Sequence, residues 1–536
     1  MPTPSQHEAF DYVIVGAGSS GATLAARLSE NPKLRVLLLE AGPASHPLSF
    51  LPLSYALFME DARVNWRYRS ARDAGMNNRR FAVPRGRVVG GSSTINGMLW
   101  VRGQPLDFDT WAQMGNPGWS WADIEPLYRR VEGYEAGDGA VRGRGGPVRI
   151  SQVAEQNPLY AALFEAAGQT GLGYNPDYNG AVQEGAARVQ ASLNRGRRVS
   201  VADAYLKPAR GRANLKVVSE AQVEALTFDG ARCAGVSYRQ GGEVRRASAA
   251  AEVVLSAGAI GTPQILELSG IGDPAVMAGA GVQVRHALPG VGQNLRDHLM
   301  PFLQWKVRRW GMTFNERTHG LRGAWELMRY ALAGQGYLAQ PAAMLVAFLR
   351  SRPELQTPDI QLSFMPISVA DMKKRKLHDY PAMTMGYYQM RPESRGSTHI
   401  QSASVGEAPE IRFNYLTDPI DRRAIVDGFR ATRRLVEAPA LDDFRGELTS
   451  PSPDVQADDE ILDYVRRTAG SSYHPIGSCR MGPGPDCVVD AQLRVHGLQG
   501  LRIADASIMP TMPSGNTNAA CIMIGEKAFD LISGGQ

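Results

Sequence analysis

The sequence predicts an α/β protein with a doubly wound, largely parallel lobe built from discontinuous segments. A second, α+β lobe carries a mostly antiparallel sheet. Three observations predict this. Tyr12-Val13-Ile14-Val15 is a short, wholly apolar run that stops at a glycine, as a strand buried on both faces does. Helical spacing follows at Ala22, Leu24, Ala25 and Leu28, and Val36-Leu37-Leu38-Leu39 is a second buried strand, so the N-terminus reads strand, helix, strand. The stretch 301–460 is richer in aromatics and in alternating runs such as Asp359-Ile360-Gln361-Leu362-Ser363-Phe364 and His399-Ile400-Gln401, which suit antiparallel pairing.

A chain of 536 residues is too long for one simple core. Glu252-Val253-Val254-Leu255-Ser256-Ala257-Gly258 and Leu501-Arg502-Ile503-Ala504-Asp505 read as later strands of the first sheet. The expected division is 8–300 for the first lobe with second-lobe segments inserted near 151–195, then 301–460 mainly for the second lobe, then a return over 461–533.

The net charge of +5 comes from 58 basic and 53 acidic residues, too weak and mixed for a nucleic-acid surface. Four scattered cysteines make no disulfide framework, so a reducing compartment is expected. The first residues are polar and lack an apolar signal region, and no run reaches the ~20 apolar residues that cross a bilayer. A cytoplasmic enzyme is the expectation. The cluster Lys373-Lys374-Arg375-Lys376 reads as a solvated loop, with weak contact to an anionic membrane as the alternative.

Gly16-Ala17-Gly18-Ser19-Ser20-Gly21 sits between the first strand and its helix, and Glu40-Ala41 ends the second strand. Gly16 makes the turn, Gly18 lets the backbone approach a pyrophosphate at the positive helix end, and Gly21 permits close packing. Glu40 is placed for ribose hydroxyls and argues against a 2′-phosphate. The motif does not separate NAD from FAD. The glycine- and hydroxyl-rich stretch from Pro84 to Met98 presents N–H groups to a flat or anionic ligand. In Gly258-Ala259-Ile260-Gly261-Thr262-Pro263, Pro263 is expected to open a helix that Gly270 ends.

The C-terminal region holds Ser472-Tyr473-His474-Pro475-Ile476-Gly477-Ser478-Cys479-Arg480-Met481-Gly482 and then Pro513-Ser514-Gly515-Asn516-Thr517-Asn518. His474 is a candidate general base, since neutral imidazole with a reference pKa of about 6.5 suits cellular pH, and Asn516 a candidate partner. A helix over 519–532 with good capping chemistry is expected just after Thr517-Asn518. His7, His46, His286, His319, His378, His399 and His496 read as structural or surface residues, and His298 as ambiguous, a candidate for orienting a loop. Cys479 and Cys487 do not match zinc spacing, so no metal is expected.

Together these segments, with Leu288-Pro289-Gly290-Val291-Gly292-Gln293-Asn294-Leu295-Arg296-Asp297-His298, resemble the glucose–methanol–choline (GMC) flavin oxidoreductases from about residue 10 to residue 533. Bacterial choline-dehydrogenase-like and alcohol-dehydrogenase-like members are the models. The resemblance implies a Rossmann-type FAD-binding domain of discontinuous segments beside the α+β substrate domain. It implies oxidation of a primary alcohol to an aldehyde, with proton abstraction by His474 and hydride transfer to flavin N5. By resemblance, Gly16, Gly18, Ser19, Ser20, Gly21, Glu40 and Ala41 hold the ADP part, and Val223 meets the adenine. Asn65, Trp66, Val88, Gly91, Asn96, Gly97 and Met98 lie along the flavin. Ala257, Gly258, Asp505, Ala506, Asn516, Thr517 and Asn518 close its far end. The acceptor is oxygen or a quinone or other redox carrier, and a homo-oligomer fits the pattern. A hydroxynitrile-lyase-like enzyme and a choline or polyol dehydrogenase are the alternatives.

Two departures matter. Ile95 stands where some relatives attach FAD through histidine, so non-covalent FAD is expected. Met344, anchored on Phe348-Leu349-Arg350-Ser351, stands where choline-oxidising relatives carry glutamate. A thioether cannot neutralise a buried cation, so a neutral apolar or aromatic alcohol is expected over choline.

Overall fold

Two sheets carry the architecture of the computed structural model, which describes residues 7–318, 320–371 and 376–534. In the first, the order is Leu215–Val218, Val36–Leu39, His7–Val15, Glu243–Leu255, Arg232–Gln240 and Gln222–Asp229. The first four strands run parallel, and the last two add an antiparallel meander. The long strand Glu243–Leu255 pairs with the meander through its first half. Its end, Val253 to Leu255, takes Leu501–Ile503 in parallel. Val13, Ile14, Val36, Leu38, Val253 and Val254 are fully buried. Helices cover both faces of such a sheet, which explains strands without polar alternation.

The second sheet is antiparallel throughout. Its order is Arg445–Ser450, Phe302–Val307, Ala382–Gln389, Ile360–Met365, Leu345–Leu349 and Gly185–Arg188. Gly185–Arg188 comes from the stretch expected to be inserted near 151–195. Helix Pro419–Val436 packs on Ala382–Gln389, so tightly that a Cβ on Gly428 would lie 2.7 Å from the Tyr387 ring.

Helix Ser19–Leu28 lies against the C-terminal helix Asn518–Ser533. A Cβ on Gly525 would fall 2.6 Å from Ser20 O, and one on Gly21 would fall 2.1 Å from Gly16 O. These contacts bring the two ends of the chain to one place.

The structure corrects several expectations. The first strand begins at His7. Pro263 lies inside the helix Gly258–Leu268 instead of opening it. Proline deprives Ala259 O of its helical donor, and Ser478 Oγ replaces it at 2.5 Å. The C-terminal helix starts at Asn518, and Thr517 makes no side-chain cap. Region 301–460 also holds the helices Gly320–Ala333 and Pro419–Val436, which the alternating runs did not announce. The strand Ser397–His399 pairs with Glu410–Arg412 in a separate ribbon. Lys373, Lys374, Arg375 and His319 lie outside the described residues.

Candidate active site

Backbone builds the first half of the site. Gly16 adopts φ +100° where a Cβ would lie 2.4 Å from Ser256 O. Gly91 adopts φ +52° and packs on Gly18, where a Cβ would lie 2.6 Å from Gly18 Cα. A Cβ on Gly18 or Gly258 would meet no protein atom within 4 Å, so these backbones border open space. Helices Ser19–Leu28 and Asn518–Ser533 both start without a capping side chain or an acidic first turn. Ser19 Oγ donates to Asn518 Oδ1 at 2.7 Å, so the two uncapped ends are neighbours. Their leading N–H groups and positive dipole ends suit an anion such as a pyrophosphate.

Glu40 accepts from Ala17 N at 3.1 Å and Gly42 N at 2.9 Å. Burial pushes its carboxyl up to about 7, against the pull of these amides and of Arg87. Ala41 follows it, and Ala221 N bonds to Glu40 O at 2.8 Å, drawing Val223 to the same strand end. Asp505 takes Gly258 N at 2.9 Å, Thr262 Oγ1 at 2.6 Å and Ser507 N at 2.7 Å. That fixes Ala257, Gly258 and Ala506 together. Asn96 receives Met98 N and the buried Arg198 guanidinium. Gly97 O accepts Ala342 N at 3.1 Å. Trp66 stacks on Tyr68. Asn65 serves as a loop clasp, donating to Phe58 O and Met59 O. Ile95 packs with Phe58, Val64 and Val88 in a small apolar cluster.

Side chains build the second half. His298 Nε2 lies 2.8 Å from Met390 O, a pure acceptor, so that nitrogen carries the proton. In the neutral ring Nδ1 is then a lone pair, and it lies 2.9 Å from His474 Nδ1. His474 Nδ1 must donate. Its Nε2 is thereby left as the basic nitrogen, facing Asn516 Nδ2 at 3.1 Å. Asn516 is oriented in turn, because its Oδ1 accepts Gln361 Nε2 at 3.2 Å and Gln361 Oε1 accepts Tyr388 OH at 2.6 Å. The Tyr388 ring stacks on His298 at 4.3 Å. The result is a continuous chain in which each donor names the next acceptor.

The loop carrying His474 is held by Asp297. Its Oδ1 accepts His474 N at 2.6 Å, and its Oδ2 accepts Ser471 Oγ and Tyr415 OH. Arg85 donates to Tyr473 O. Burial, then His298 and then Arg85, hold the His474 imidazole well below its ordinary pKa. Burial likewise lowers His298 to about 4, partly offset by Met390 O. Both rings are therefore neutral near pH 7.

Of the residues expected from sequence, His474 and Asn516 meet, at the end of the sheet strand that bears Gln361. His298 does more than orient a loop, since it touches the candidate base itself. Gln361, Tyr388 and Met390 were not anticipated. Strand runs carry Gln361 and Tyr388, with Met390 one residue past the second, and only pairing of Ile360–Met365 with Ala382–Gln389 brings Gln361 opposite Tyr388. Cys479 and Cys487 are buried. His286, His399 and His496 are engaged in internal hydrogen bonds.

Residues 10–300 match the N-terminal model of the GMC oxidoreductases, and residues 392–525 the C-terminal one. The chain belongs to the GMC oxidoreductase family. The oxygen-dependent choline dehydrogenase of Chromohalobacter salexigens is 39% identical over 547 residues, covering 99% of this chain and 96% of the relative. That of Serratia proteamaculans is 40% identical over 542 residues, covering 98% and 95%. Among solved structures, pyridoxine 4-oxidase from Mesorbium loti superposes with a TM-score of 0.88 at 30% identity, covering 97% and 98%. Formate oxidase gives 0.91 at 26%, covering 99% of each chain. This GMC oxidoreductase is an FAD-dependent enzyme acting on CH–OH groups. The uncapped helix ends and the open space over Gly18 and Gly258 fit that cofactor. Among the described residues, no helix is long and apolar enough to cross a membrane.

Proposed function

We propose that the protein oxidises a primary alcohol to an aldehyde with His474 Nε2 as the base, and prefers neutral apolar or aromatic alcohols to choline. The single observation that carries this is the chain from Met390 O through His298 to His474, which leaves Nε2 unprotonated and facing Asn516. An alcohol hydroxyl that replaces their direct hydrogen bond and contacts both gives its proton to Nε2 and accepts the Asn516 amide as negative charge grows on oxygen. FAD, when bound, supplies the acceptor for the hydride leaving the α-carbon. The ADP part is assigned to the Gly16–Gly21 turn and Glu40, with Val223 on the adenine side. The flavin is assigned to the faces of Trp66, Val88, Gly91, Asn96, Gly97, Met98, Ala257, Gly258, Asp505, Ala506 and Thr517. Ile95 offers no nucleophile, so the cofactor is non-covalent, and acid precipitation leaves a colourless pellet and a yellow supernatant.

The substrate preference follows from charge. Met344 is fully buried and neutral. Arg85 donates to Tyr473 O, and Arg391 donates to Ser514 Oγ at 2.8 Å, so two cations adjoin the segments carrying His474 and Asn516. The carboxylates beside those segments are occupied. Asp297 has three donors, and Asp107 takes Gln104 N, Ser514 N and Ser514 Oγ. Arg391 lies 3.8 Å from Asp107, and Asp297 acts on Arg85, so each carboxylate balances a cation and none is left over to face a quaternary ammonium. The choline dehydrogenases among the relatives favour the opposite reading. An anaerobic flavin-reduction screen decides between them. Benzyl and medium-chain alcohols should bleach the flavin faster than choline; faster reduction by choline overturns the preference. Repeating the screen with oxygen and with a quinone assigns the acceptor.

A further inference from the structure

Helix Gly320–Ala333 is turned the wrong way round for a globular protein. Leu321, Trp325, Met328 and Leu332, at helical spacing i, i+4, i+7 and i+11, form one stripe. They are 91%, 56%, 44% and 81% exposed. The face turned to the protein is polar: Glu326 is buried, accepts Tyr337 N at 3.0 Å and pairs with Arg317. By contrast, helix Pro419–Val436 buries Ala424, Ile425, Phe429 and Val436 in the usual manner.

The stripe is edged with positive charge. Arg322 lies exposed along one flank of the helix, and Arg329 on the same flank is partly exposed and paired with Glu326 at 3.1 Å. At its C-terminal end the turn carrying the exposed Arg195 and Arg197 packs on Gly334, where a Cβ on Gly196 would lie 2.0 Å from Gly334 O. The preceding helix, Phe314–Arg317, holds the base of the hairpin that leads to the exposed Lys376, through Asn315 Nδ2 to Ser368 O at 2.9 Å and His378 O at 3.0 Å. The segment bearing exposed Leu48 and Leu57 joins the same region through Leu53 N and Leu338 O.

We infer that this face docks on an anionic lipid bilayer, with the helix lying in the plane of the interface. An apolar stripe flanked by arginine and lysine is the pattern of an interfacial helix, and the charge complementarity selects an anionic lipid surface over a neutral one. Docking would set the active site close to the bilayer. Arg198, next to Arg197, bonds to Asn96 O at 2.7 Å, and the chain leaving the helix reaches Gly97 through Ala342.

The test is co-sedimentation of the full-length holoenzyme with vesicles of phosphatidylglycerol and phosphatidylcholine, and with phosphatidylcholine alone. Trp325→Ser combined with Leu332→Ser should lower binding to the anionic vesicles at least about tenfold, from the lost apolar burial. Flavin content and turnover of a soluble alcohol should be unchanged. Arg195→Glu with Arg197→Glu, or raised salt, should weaken the anionic binding while sparing the weak neutral-vesicle binding. The proposal is overturned by a parent protein that ignores anionic vesicles, or by a double variant that binds them as well as the parent. A parent dimer that the double variant converts to monomer, with no vesicle binding by either, would overturn it in favour of a second copy as occupant.

Discussion

The two halves of the candidate active site are built from different material. On the proposed cofactor side the groups are backbone amides, positive-φ glycines and helix ends. On the reaction side they are side chains, each oriented by the next, from Tyr388 through Gln361 and Asn516 to His474 and His298. A backbone-built site is broken by steric bulk and tolerates changes of polarity elsewhere. A side-chain relay is broken by single atoms, because each member fixes its neighbour's proton.

The sharpest break of that contrast is Gly91→Val. Its Cβ would press on Gly18 backbone at a φ that β-branched residues avoid, so the protein should purify colourless and without turnover. Retention of stoichiometric flavin would show that backbone approach does not hold the cofactor. His474→Ala should do the reverse, keeping flavin while anaerobic reduction slows about 10²- to 10⁴-fold. His298→Leu removes the acceptor that fixes the His474 tautomer. Reduction should slow about ten- to a hundredfold, or roughly 1.4–2.8 kcal/mol of transition-state stabilisation, with KM little changed. Tyr388→Phe deletes one donor to Gln361 but keeps the ring on His298. Its cost should be about three- to tenfold, the worth of one hydrogen bond at about 0.5–1.5 kcal/mol.

The smallest effect concerns pH. Burial, then His298 and then Arg85 disfavour the charged form of His474, so the folded pKa lies below the ordinary value. The proposed base works when neutral. Activity should therefore persist as pH falls through about 6.5 and fail only lower, whereas a solvent-exposed histidine would lose it at about 6.5. A pH profile of anaerobic flavin reduction reads this directly.

Legibility followed the same division. Gly16, Gly21 and Gly91 could be read because a positive φ or a close backbone approach demands glycine at that position, and Gly18 through its spacing in the motif. His474 and Asn516 could be read through the motifs around them. Gln361 and Tyr388 could not, because a polar residue on an alternating strand looks the same whether it meets water or an asparagine. His298 was ambiguous for a similar reason: its role depends on Met390 O, a backbone atom that no residue type announces. The outward face of Gly320–Ala333 was equally hidden, since its apolar stripe has the spacing of any buried helix.

By itself the sequence determined the strand–glycine–helix order, the acidic end of the second strand, the family and the candidate base, since each depends on local spacing and backbone sterics. Only the tertiary structure decided which nitrogen of His474 is free, that Ser478 completes the proline-bearing helix, and that one amphipathic helix points its apolar side outward. Those depend on which groups meet across hundreds of residues, and a hydrogen bond or a buried face is a property of the pair, not of either partner.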